Sequence, residues 1–171
     1  MNYFINSTLA LALVASLACQ TNTSSAHQTA SLYEQGQTPP GGRRVVKSDA
    51  EWKKQLSPDQ YEVLRKHGTE RPGTSPLLNV HEDGTFLCAA CKNPLFSYKT
   101  KFESGTGWPS FYEPITKNAV KVAKDNSYGM ERDEVVCAVC DGHLGHVFND
   151  GPKPTGLRYC MNGVAMTFQK K

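Results

Sequence analysis

Phe86-Leu-Cys-Ala-Ala-Cys-Lys-Asn-Pro-Leu95 and Val135-Val-Cys-Ala-Val-Cys-Asp-Gly-His-Leu144 read as two copies of one unit: a short β-type run, a C-x-x-C turn, and a leucine four residues past the second cysteine. A C-x-x-C turn presents two sulfurs to one ion, and zinc takes four thiolates in a tetrahedron. Two such knuckles facing each other predict a closed structural site of Cys88, Cys91, Cys137 and Cys140, holding one Zn2+ per chain with no coordination position left for a substrate. An all-thiolate site also accepts iron. Four buried or disulfide-bonded cysteines are the metal-free alternative. In the metal reading, ion binding is folding free energy for a small, turn-rich domain.

Outward from the knuckles the chain keeps a β texture. Short runs at 85–88, 95–96, 119–125, 134–137, 146–149, 157–162 and 164–168 are broken by Gly, Pro and Asn. Upstream the period changes. Ser48-Asp-Ala-Glu51 and Ser57-Pro-Asp-Gln60 are capping boxes, in which a Ser N-cap and an acid or amide three residues on satisfy each other's orphan amides. Pro58 stands at the first helical position, where its missing N–H does no harm. Two short helices follow, one through Leu56 and one stopping at Gly68, with Leu56, Tyr61 and Leu64 facing the core. The fold class is mainly β (α+β), with two short N-terminal helices preceding antiparallel strands.

The chain has 171 residues, 19 Lys+Arg against 16 Asp+Glu, and six cysteines. A net charge of +3 with no basic run argues against nucleic acid as partner. No charged residue precedes Glu34, and Ser7 to Ala18 is an apolar run too short to span a bilayer, which takes about 20 residues. It resembles the apolar core of a secretory leader, although no Lys or Arg precedes it. Ser16-Leu-Ala18 and Ser24-Ser-Ala26 offer small-x-small cleavage sites, and Cys19 resembles a lipid-acceptor cysteine. We expect residues 1–26 to be a signal or lipoprotein leader, 27–47 a flexible linker and 48–171 the folded domain. The protein would then be exported, periplasmic or held at the membrane by a lipid on Cys19. A cytoplasmic protein with a disordered tail is the alternative.

Cys160 is left over. On a strand over 157–162, Arg158, Cys160 and Asn162 share one face. A guanidinium beside a thiol favours the thiolate. His143 and His146 follow the second knuckle, which would fix where their rings point; two imidazoles and a thiol make an acid and nucleophile set. A second metal site, buried structural histidines and an inert core thiol remain open on spacing alone. Gly105-Thr-Gly-Trp-Pro-Ser-Phe111 holds Trp108 in a rigid turn, suited either to meeting a small apolar group such as a methyl or to packing on the core.

Glu103-Ser-Gly-Thr-Gly-Trp-Pro-Ser-Phe111, Gly142-His-Leu-Gly-His-Val-Phe148, Arg158-Tyr-Cys-Met-Asn162 and the paired C-x-x-C motifs together resemble the methionine-R-sulfoxide reductase B family, in family order from about Trp52 to Phe168. The resemblance implies two antiparallel sheets with zinc distal to the active site, and reduction of the R epimer of methionine sulfoxide, preferably within oxidised proteins. It implies Cys160 as nucleophile, passing through a sulfenic acid. His143 and His146 would position and protonate the sulfoxide oxygen, Trp108 and Phe111 would contact the substrate, Asn162 would hold the network, and Arg158 would stabilise the thiolate. Many members carry a resolving cysteine where this chain has Thr106. A one-cysteine cycle is therefore expected, with an external thioredoxin-like dithiol as reductant, or with Cys19 as resolver if the leader is retained. Two other readings stand beside this one. A zinc-ribbon binding module explains the four paired cysteines but not Cys160, His143, His146 and Trp108; a thiol–disulfide oxidoreductase would use C-x-x-C as its active pair.

Overall fold

The computed structural model describes Met1 and residues 44–171 other than Ser127, Tyr128 and Met130. The rest of the expected leader, Cys19 included, and the expected linker up to residue 43 lie outside the described residues. Both capping boxes form, with Ser48 and Ser57 each accepting from the amide three residues on while Glu51 and Gln60 reach back. They start α1 (Asp49–Gln55) and α2 (Pro58–Lys66). Trp52, Leu56, Tyr61, Val63 and Leu64 are buried, so the helices cover the sheets with one face each. As expected, α2 stops just before Gly68, with His67 (φ 57°) as its left-handed C-cap. Gly68 follows it, 3.0 Å from its amide nitrogen to the Glu62 carbonyl.

Among the described residues, nine strands form two antiparallel sheets. The smaller orders β2 (Pro94–Ser97), β1 (Gly84–Cys88) and β9 (Met166–Lys170). The larger orders β3 (Lys101–Phe102), β4 (Ser110–Phe111), β8 (Arg158–Met161), β7 (His143–Phe148), β6 (Arg132–Cys137) and β5 (Val120–Asp125). Aromatic side chains join them. Phe96 of the small sheet stacks on Phe111 of the large one at 4.4 Å between ring centres, and Phe86 meets Phe111 edge-on at 4.8 Å. Phe111 is fully buried there. That corrects its expected contact with substrate: its ring is a core element, and its strand neighbour Ser110 faces the other way.

The described order also starts earlier than Ser48. Val45 donates to the Val139 carbonyl at 2.8 Å and Arg44 pairs with Asp141. Residues 44–47, expected in the linker, thus begin the domain by docking on the second knuckle. The strands β3 and β4, two residues each, were not legible as runs, and β7 begins at His143 rather than His146.

That last difference positions the chemistry. Residues three apart on a regular strand point to opposite faces. Between β6 and β7, however, Val135 pairs with Gly145 and Val136 with His143, leaving Leu144 as an extra residue. Such a bulge re-aims side chains, and the rings of His143 and His146 come within 5.4 Å, edge to face. Gly145 is required beside it: a Cβ there would lie 2.1 Å from the Cys160 carbonyl oxygen.

Candidate active site and metal centre

The two knuckles are built alike. Cys88 N donates to Asn93 O and Lys92 N to Cys88 O; Cys137 N donates to Gly142 O and Asp141 N to Cys137 O, all at 2.9 Å. Lys92 and Asp141, each following the second cysteine, are both left-handed (φ 62° and 55°). The four sulfurs lie within 4.8 Å of one another, with Cys88–Cys140 at 3.7 Å and Cys91–Cys137 at 3.5 Å. A tetrahedron with metal–sulfur bonds of about 2.3 Å has edges of about 3.8 Å, so the donor set fits zinc. Hydrogen bonds from Cys140, then Cys88 and Cys91, push Cys137 towards thiolate. Cys88 ends β1 and Cys137 ends β6, so an ion held by the four cysteines would join the two sheets. The helices brace it: Gln55 donates to the Ala90 carbonyl at 2.5 Å and Arg65 to the Cys140 carbonyl at 3.0 Å.

The reactive site is one row across the large sheet. Ser110 pairs with Cys160, Cys160 with His146, and His146 with Glu134, on β4, β8, β7 and β6. Directly opposed residues of antiparallel strands share a face, with Cβ atoms roughly 5 Å apart. Cys160 is half-buried and His143 is 2% exposed. Carboxylates fix both rings: His143 Nδ1 lies 2.6 Å from Glu134 and His146 Nε2 lies 2.9 Å from Asp125. Since a carboxylate only accepts, His143 Nδ1 carries the proton, which leaves its buried Nε2 without a partner among the described residues. His67 adds a second bond to Glu134 at 2.7 Å.

Burial pushes the Cys160 thiol above its ordinary value, while the Thr106 hydroxyl and then Arg158 pull it down. The thiolate expected from Arg158 alone is therefore opposed by desolvation. Arg158 is also engaged elsewhere: its guanidinium makes two 2.8 Å bonds to Asp150 and lies over Phe148. Thr106 Oγ1 stands 3.8 Å from Cys160 Sγ.

Trp108 is half-buried, and its indole N–H donates to the Glu70 carbonyl at 3.2 Å. The Glu70 carboxylate accepts from Gly163 N and Val164 N (2.6 and 2.9 Å), and its amide donates to Asn162 Oδ1 (3.0 Å). Asn162 lies just beyond β8, and its amide donates to the Leu144 carbonyl. Its polar atoms are spent on backbone, so it holds the Glu70 segment against the His143 bulge rather than sharing an open face with Cys160. The same segment seats the Trp108 turn: Gly73 N donates to Gly107 O at 2.7 Å, and at Gly107 (φ +87°) a Cβ would meet Pro72 at 2.8 Å. Cys160, His143, His146, Arg158 and Trp108 are thus gathered around one sheet face and the loops covering it. Glu70, Asp125, Glu134, Asp150 and His67 were missed, because lone charged residues carry no spacing signal.

Burial also lowers the pKa of His143 from its ordinary 6.5, against the opposing pull of Glu134. Below that value the unfolded chain binds a proton that the folded chain refuses, so stability rises with pH there. Urea midpoints are expected to fall as pH drops below 6.5 and to level off once His143 protonates in the fold. His143→Gln should lose this part of the slope; an unchanged slope would show that the ring is not held neutral.

A SelR domain model matches residues 56–170. The chain is 57% identical over 127 residues to a peptide methionine sulfoxide reductase MsrB of Leptospira interrogans, covering 74% of this chain and 97% of that protein. It is 57% identical over 126 residues to the protein of that name from Agrobacterium fabrum (74% and 93% covered), and 56% over 128 residues to that of Methanosarcina mazei (75% and 91%).

Proposed function

The chain belongs to the methionine-R-sulfoxide reductase B family, and from that membership we propose that it reduces the R epimer of methionine sulfoxide, preferably in oxidised proteins, through a sulfenic acid on Cys160. The observation that carries the residue roles is the row in which Cys160 and His146 are directly opposed, with His143 turned onto the same side by the bulge. The substrate's methyl group rests on the half-buried face of Trp108. As the Cys160 proton leaves, the thiolate attacks the sulfoxide sulfur. His143 and His146, steadied by Glu134 and Asp125, hold the oxygen, take up the proton that leaves Cys160 and pass it on to that oxygen. The sulfoxide gains two electrons and departs as the thioether; Cys160 loses two and keeps the oxygen as S–OH. Arg158 lends positive charge beside the thiolate, tempered by Asp150. Zinc on Cys88, Cys91, Cys137 and Cys140 supplies structure, since its four thiolates leave no open position.

With Thr106 where a resolving thiol would stand, an external dithiol of the thioredoxin type reduces the sulfenic acid, releasing water. Residues 1–26 direct export, and Cys19 is the acceptor if a lipid is added. The mass of the mature N-terminus tests this; an intact, unmodified Met1 or Asn2 terminus would overturn it.

The activity is tested with separate R and S epimers of a blocked methionine sulfoxide and dithiothreitol. Turnover of R alone is expected. Turnover of S, or of neither epimer by zinc-loaded protein, would refute the reading.

A further inference from the structure

Three hydroxyls lead away from the reactive sulfur in an unbroken line. Thr106 Oγ1 is 3.8 Å from Cys160 Sγ, within reach of a sulfur hydrogen bond, and 2.8 Å from Ser104 Oγ. Ser104 Oγ is 2.7 Å from Ser110 Oγ, which lies 3.1 Å from the Trp108 carbonyl oxygen. Ser110 is fully buried, so its hydroxyl must find its partners within the protein.

Each hydroxyl has one proton to give and can accept in return. With Cys160 as a thiol, S–H donates to Thr106, Thr106 to Ser104, Ser104 to Ser110, and Ser110 to the Trp108 carbonyl. The line must run this way, because a carbonyl only accepts. With Cys160 as a thiolate, the sulfur only accepts and the order reverses: Ser110 donates to Ser104, Ser104 to Thr106, and Thr106 to sulfur. The two arrangements differ by three hydroxyl rotations and no movement of a heavy atom.

We infer that Thr106 is a catalytic residue whose hydroxyl turns from accepting the Cys160 S–H to donating to the thiolate, with Ser104 and Ser110 as positioning residues that let it turn. The inference rests on Cys160 being the nucleophile. When substrate is bound, the S–H turns away from Thr106 and its proton leaves on the other side, towards the imidazoles and the substrate oxygen; the hydroxyls then reorient to donate to the sulfur. The other charged or titratable groups around the sulfur are Arg158 with Asp150, and His146 with Asp125 on the neighbouring strands, with Glu134 and His143 beyond. All are left unaltered by changes at Thr106 and Ser104, so a shift in those variants reports on the hydroxyls.

The test uses the zinc-loaded full chain as wild type, Thr106→Val, Thr106→Ser, Ser104→Ala and Cys160→Ser. Two readings are taken: the pH dependence of iodoacetamide alkylation, followed on the Cys160 peptide, and the single-turnover rate on the R epimer. Thr106→Val is expected to raise the alkylation midpoint by about one pH unit and to slow the chemical step about tenfold near pH 7. Ser104→Ala should shift the midpoint the same way by a smaller amount, while Thr106→Ser should stay within about threefold of wild type in rate, keeping the donor. Wild-type midpoints in Thr106→Val and Ser104→Ala, with Cys160→Ser inactive, would overturn the relay and leave the nucleophile standing. Equal losses in Thr106→Ser and Thr106→Val at an unchanged midpoint would show that Thr106 only packs, which also overturns it. Turnover by Cys160→Ser would instead refute the nucleophile.

Discussion

Cys160→Ser is expected to fold, bind zinc and lose at least about 10³-fold in R-sulfoxide turnover, the scale on which removal of a nucleophile acts. The substitution is close to isosteric at a half-buried position of β8 whose carbonyl and neighbours remain in place, so the loss reports on chemistry. A hydroxyl in this setting stays protonated where a thiol can ionise, and it cannot carry the oxygen away as a sulfenic acid. Loss of the sulfur should not abolish substrate binding, because Trp108 is held by Glu70 and the Gly73–Gly107 bond, independently of Cys160. A binding assay on the variant with R-sulfoxide peptide is therefore expected to give an affinity within about tenfold of wild type, or about 1.4 kcal/mol. Comparable losses in binding and turnover would mean that the substitution disturbs the sheet.

Removing zinc should have the largest effect on stability. Binding to a four-thiolate structural site supplies about 10–16 kcal/mol, as much as or more than the roughly 5–15 kcal/mol that separates a folded domain from its unfolded chain. Here the four cysteines would hold the ion where β1 and β6 end, joining two sheets that also meet through Phe86, Phe96 and Phe111. Chelation, or Cys137→Ser, is expected to release one zinc per chain and abolish the cooperative thermal transition seen by circular dichroism. A zinc-free protein melting within a few degrees of the holoprotein would show that the aromatic core suffices. Activity should fall in parallel with structure, since α2 both braces the second knuckle through Arg65 and ends at His67, beside Glu134.

The parts legible in the sequence were those with a local signature. Ser48 and Ser57 announced both helices because capping is a contact between residues three apart, and C-x-x-C announced each knuckle because one turn delivers two sulfurs. The site required long-range information. That Cys160 faces His146 is a matter of strand register, and that His143 joins them depends on Leu144 being the extra residue of a bulge. Neither has a local signature. Phe111 misled for the reverse reason: its neighbour Trp108 is in a motif that presents side chains, but β4 alternates, so Ser110 faces the reactive row and Phe111 enters the core. Glu70 was invisible for want of any pattern, although its carbonyl, carboxylate and amide tie Trp108, the turn after β8 and Asn162 together. Residues 44–47 read as linker because their anchor, Val139, lies almost a hundred positions away.

The most direct test of the account is the state of Cys160 after one turnover without reductant. Zinc-loaded enzyme mixed with excess R-sulfoxide peptide should yield one thioether per chain and then stop. Mass spectrometry should find one added oxygen on the Cys160 peptide, trapped by a sulfenic-acid reagent, with Cys88, Cys91, Cys137 and Cys140 unmodified. A disulfide joining Cys160 to any other cysteine, or an unmodified Cys160 after thioether release, would contradict the one-cysteine mechanism.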